Sequence, residues 1–152
     1  MQHDEHNTRR ILLDLGIGDF NATMILPYMF MGPAQTDPAM AQVRLITKAM
    51  QRHMVTMGAT WIKPTGSIDV ETAHCFHALV GPHWNQITWQ ELASALVIAK
   101  ANGKKFKRTF SADGVVELSG LGLLPSPPNV PGGIITYGVV AYLLFRHFKK
   151  GR

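Results

Sequence analysis

Between Leu118 and Phe145 the chain carries no Asp, Glu, Lys or Arg, and it then turns basic in RHFKKGR at its end. The last part of this stretch, GGIITYGVVAYLLF from Gly132 to Phe145, is apolar apart from Thr136. A run of this kind needs a core, a partner or a bilayer to cover it. Wound as a helix, Val130 to Phe145 spans about 24 Å against a hydrocarbon core of about 30 Å. Phe148 lengthens the span if Arg146 and Lys149 snorkel. Tyr137 and Tyr142 suit the interfaces, Phe145 closes the apolar run, and Arg146, Lys149 and Lys150 suit a cytoplasmic or anionic headgroup surface. We therefore expect a single C-terminal transmembrane helix over 132–148 and a basic tail over 149–152. The alternative is a buried core helix, or an apolar helix docked on a partner. The preceding LPSPPNVPGG holds four of the nine prolines and reads as an extended connector.

Charge divides the chain unevenly. Up to Ala99 there are six Lys/Arg against eight Asp/Glu, and from Lys100 onward nine against two, so the net +5 belongs to the C-terminal third. Its two basic blocks, KANGKKFKR and RHFKKGR, are separated by the uncharged stretch, a spacing that favours anionic lipid over nucleic acid. Cys75 is the only cysteine, which excludes an internal disulfide framework and a thiolate-rich zinc module. MQHDEHNTRR and the interrupted apolar run after it do not form a secretory signal peptide. Residues 1–36, including the Met-rich ATMILPYMFMGPAQ, read as an apolar arm packed on the domain or held against a membrane or partner.

The middle of the chain is punctuated as helices. Asp37 followed by Pro38 predicts a helix start, and Val43, Ile46, Met50, Met54 and Met57 form one apolar stripe up to Gly58. The loop TWIKPTGS intervenes. Asp69 caps a second helix with Thr72, Cys75, Phe76 and Leu79 inward, ended by Gly81 and Pro82. Thr88 with Glu91 is a capping box for a third helix, burying Leu92, Leu96 and Ile98 or Ala99 and stopping at Gly103. KKFKRTF and GVVELSG then predict a short hairpin. The expected fold class is mainly α. It comprises a small three-helix domain over 37–103, a basic loop or hairpin with the Pro/Gly-rich connector over 104–131, and the terminal apolar helix.

From Met40 to Val80 the residues resemble the short three-helix peptidoglycan-binding module of cell-wall hydrolases. The resemblance rests on Met50 and Gln51, Met54, Met57 and Gly58, then Thr65, Gly66, Ile68, Asp69 and Thr72, then Cys75, Phe76 and Leu79. Thr65 stands where that family's loop usually has Asp, and Asp69 where it has a second Gly. The resemblance implies a wall-binding architecture in which Gln51, Gly58, Gly66, Ile68, Asp69 and Thr72 hold the fold, and it implies a glycan or peptide ligand.

Trp61, Lys63, Thr65 and Trp84 are the candidate ligand contacts, because aromatic faces stack on sugars and Lys pairs with carboxylates. Packing is the competing role for the tryptophans. His74, Cys75, His77 and His83 crowd together but lack a further ligand at metal spacing, so no metal or cofactor is expected. Asp69 and Glu71 fall at a helix start, where capping and dipole effects explain them, and no nucleophile, zincin or phosphate-loop motif occurs. The expected protein is non-catalytic.

A wall-binding module with no export signal and a C-terminal anchor has two resolutions. A bacteriophage particle with an internal membrane carries it to the envelope, or the terminal span inserts it in a bacterial inner membrane. The partners expected are peptidoglycan, a lipid bilayer and other virion or envelope proteins. A structural subunit of such a virion or envelope complex is the alternative function.

Overall fold

The computed structural model describes residues 5–108 and 116–119. It is mainly helical, with α1 (Glu5–Asp14), α2 (Asp19–Ile25), α3 (Ala41–Thr56), α4 (Val70–Val80), α5 (Trp89–Ala101) and a hairpin of β1 (Lys105–Arg108) and β2 (Val116–Ser119). Short 3-10 turns lie at Leu26–Phe30, Pro33–Gln35 and Trp84–Gln86.

Helix α5 is the centre of the packing. Six consecutive residues, Glu91 to Leu96, are buried, because α1, α3, α4 and the turn after α2 all lie against it. A helix covered on several sides needs no polar face, and LASALVIA supplies none. Its start is the predicted capping box: Thr88 Oγ1 accepts from Glu91 N at 3.1 Å, and Glu91 Oε1 accepts from Thr88 N at 2.9 Å. The stripes predicted for α3 and α4 are buried residue for residue. Met57 closes α3, with Gly58 beyond it at φ +102°.

Two expectations change. The segment 1–36, read as an arm packed on the domain or held against a membrane or partner, does pack there, but as α1 and α2 within the same core rather than as an appendage, with Leu12, Ile25 and Met29 fully buried. The described chain thus has five helices around one core rather than three. Asp14 and Asp19, which interrupt the apolar run in the sequence, sit at the end of α1 and the start of α2, both exposed. Arg9 joins these helices, donating to Asp19 Oδ1 at 3.3 Å and to Thr23 Oγ1 at 2.7 Å.

The second change is the start of α3, which begins at Ala41 rather than after Asp37. Asp37 Oδ1 accepts from Ala39 N at 2.9 Å, and Met40 N donates to Asp37 O at 3.0 Å, so Asp37 and Pro38 make a turn before the helix. The same residue pair favours both structures, and here the side chain satisfies a donor two residues on instead of three.

The predicted hairpin forms, antiparallel, with Lys105 opposite Ser119 and Arg108 opposite Val116. Phe106 and Val116 are buried, and Phe106 N donates to Met57 O at 2.8 Å, tying β1 to the end of α3. The connector, the apolar segment 132–148 and the tail 149–152, with Tyr137, Tyr142, Phe145, Arg146, Lys149 and Lys150, lie outside the described residues. Among the described residues no helix is long and apolar enough to cross a membrane.

Candidate functional site

The loop between α3 and α4 is built around one buried side chain. Gln51 is fully buried; its Oε1 accepts from Gly66 N at 2.8 Å, and its Nε2 donates to Ser67 O at 2.8 Å and to Thr72 Oγ1 at 2.9 Å. Both N–H donors and one acceptor lone pair of the amide are used, so the loop and the first turn of α4 are held to α3 from inside.

Gly66 adopts φ +90°, which favours glycine, and a Cβ there would press on the Arg44 backbone, 3.1 Å from its oxygen. On the outer side Arg44 donates to Ser67 Oγ at 3.1 Å and to Thr65 O at 3.0 Å. Thr65 Oγ1 accepts from Ser67 N at 3.1 Å, supplying the turn bond that an Asp side chain would otherwise make. Asp69 caps α4, accepting from Thr72 N at 2.8 Å. Ile68 is half-buried against the core.

This framework presents Lys63 and Thr65 on the exposed side of the loop, with Trp61 half-buried at its start. Trp61 and Trp84 join different clusters. Trp84 lies against Phe76, ring centroids 5.3 Å apart, and Phe76 meets Trp89 edge-on at 6.5 Å, an aromatic row continuous with the core. Trp61 instead carries the guanidinium of Arg108, 5.4 Å from its ring centroid. Arg108 Nη2 also donates to Glu71 Oε2 at 3.0 Å, both side chains being about one-third exposed, 33% and 36%. The indole Nε1 of Trp61 and the Nδ1 of His74 are buried with no hydrogen-bond partner among the described residues.

Arg108 and Glu71 are the members of this cluster that sequence reasoning missed. Glu71 reads as a helix-start acid and Arg108 as one cation of a basic run. The usable signal is strand alternation: with Phe106 facing the core, Arg108 two residues on shares its face.

Cys75 is deep in the core, and its thiol is pushed up to about 12, first by burial and then by the carboxylates of Glu71 and Asp69. At neutral pH it is an inert small hydrophobe. Among the described residues no three His, Cys, Asp or Glu side chains converge as a metal site. No protein-family model, curated protein or solved structure matches the chain.

Proposed function

We propose that this chain is a non-catalytic, membrane-anchored protein whose α3–loop–α4 module contacts peptidoglycan at the cell envelope, either from a bacterial inner membrane or on a phage particle with an internal membrane. The observation that carries the reading is the Gln51 hub. The residues on which the wall-module resemblance rests, Gln51, Gly66, Asp69 and Thr72, form one bonded unit that leaves Lys63 and Thr65 exposed beside Trp61. A rigid scaffold with a presented loop is how binding surfaces are commonly built.

The full chain in detergent micelles is expected to pellet with purified sacculi. Changing Trp61→Ala and Lys63→Ala together is expected to weaken that binding about tenfold while leaving the helical spectrum intact. Unchanged pelleting of the double variant would remove this surface from the account. The anchor is tested separately: deletion of 134–152 is expected to release the protein from the membrane fraction, and retention there would place the attachment elsewhere.

A second reading, a structural subunit of a membrane-containing virion or envelope complex, draws on the outer side of α1 and α2. There Leu13, Phe20 and Met24 are exposed, Phe20 to 76%. Large apolar side chains directed away from the core suit a protein contact. A stoichiometric partner that co-purifies with a chain unable to pellet with sacculi would favour this reading.

A further inference from the structure

We propose that the Trp61–Arg108–Glu71 cluster is a carboxylate-binding site, in which Arg108 of the hairpin engages an acidic group of the ligand. The inference rests on the wall-binding reading and names the chemistry that the surface selects.

Three observations point to it. Arg108 is only about two-thirds covered, and it spends one donor on Glu71. Its Nη1 and Nε have no partner among the described residues, and since Glu71 takes one N–H of Nη2, the other N–H of Nη2 leaves one edge of the guanidinium to receive a carboxylate. The indole ring of Trp61, 5.4 Å from the guanidinium carbon, and the bond to Glu71 restrain the Arg108 side chain, which lowers the ordering cost of receiving an anion. The Nε1–H of Trp61 is a buried donor without an acceptor among the described residues, and a ligand oxygen reaches it only if the side chains over it move aside. Glu71 is then the internal carboxylate that holds Arg108 ready and competes with the incoming one. Exposed Lys63, in the same loop as Trp61, adds positive charge at the approach. Peptidoglycan carries such acids on its stem peptides, whereas uncharged glycan would gain nothing from Arg108.

The test uses the full chain in detergent, 15N-labelled, with muramyl dipeptide as the acid probe and its γ-carboxamide as the neutral one. The Trp61 indole N–H resonance is expected to shift saturably with the acid. The amide is expected to bind about tenfold or more weakly, the loss of one charge-assisted pair. Arg108→Leu is expected to abolish the response, and Arg108→Lys, which keeps charge and much of the packing, to weaken it severalfold by removing the fork. Glu71→Gln is expected to tighten binding severalfold.

Equal titration by acid and amide, no shift with either, or wild-type affinity in both Arg108 variants would overturn the site. Sacculus pelleting of the same proteins separates the two claims. Retained pelleting with no response to muramyl dipeptide leaves wall binding standing and removes this site. An acid-selective response without pelleting keeps a carboxylate site and removes the wall as its source.

Discussion

Gln51→Ala is expected to destabilise the protein by about 3–5 kcal/mol, read as a shift of the urea or thermal midpoint. The change strands three buried or half-buried groups at once, the Gly66 N–H, the Ser67 carbonyl and the Thr72 hydroxyl, and each costs about 1–3 kcal/mol when left unpaired. A cavity beside α3 adds to the loss, and water that enters the space recovers part of it. Gln51→Glu retains the acceptor for Gly66 but removes the two donors and buries a charge, so it is expected to be no better tolerated. A midpoint within about 1 kcal/mol of wild type for the alanine variant would mean that the loop does not depend on this hub.

The second large effect is expected at a glycine whose backbone angles are ordinary. Gly32 lies where the chain before α3 meets the start of α5, and a Cβ built there would stand 2.1 Å from the backbone oxygen of Ile87. Around it Trp89 N donates to Met31 O at 2.7 Å, Trp89 Nε1 donates to Thr36 Oγ1 at 3.1 Å, and Thr36 Oγ1 donates to Gly32 O at 3.1 Å. Two backbones in contact cannot relax as a flexible side chain can. Gly32→Ala is therefore expected to cost about 3 kcal/mol or more and to loosen the fully buried Trp89, visible in the near-ultraviolet circular dichroism. Gly18→Ala is the control: nothing lies within 4 Å of its added Cβ, and the expected change is under about 1 kcal/mol. Equal stability of the two variants would separate the N-terminal segment from the core.

These two positions mark what was and was not legible in the sequence. The α3–loop–α4 unit is a run of local decisions. Gly58 stops one helix, Asp69 and Thr72 start the next, and the stripe from Val43 to Met57 sets the buried face, so each can be read within a few residues. Gln51 was visible only through the family resemblance, since nothing about an isolated glutamine in a helix announces burial. Gly32 was not legible at all, because its reason is a backbone that is distant in sequence.

The N-terminal helices escaped for a different reason. At ten and seven residues they are too short to establish a period, and Asp14 and Asp19 look like interruptions until each is placed at a helix end. Asp37 with Pro38 carries a signal shared by helix starts and turns, and only the geometry of Ala39 and Met40 separates the two. In the candidate site, Trp61, Lys63 and Thr65 were placed on one loop by sequence adjacency. Trp84 joins them only by residue type, and in the fold it belongs to the Phe76 and Trp89 row.

The function proposed for this chain stands or falls on a surface that recognises cell wall through shape and fitted pairs rather than through the bulk positive charge of its C-terminal third. Co-sedimentation of the full chain with purified sacculi at low ionic strength and again at about tenfold higher salt tests that claim most directly. Stacking and partly buried charge pairs are weakly screened, whereas contacts of exposed lysines fade as the Debye length shrinks from about 10 Å to about 3 Å. The account predicts pelleting that persists at high salt. Pelleting that vanishes with salt, or none at low salt, would contradict it.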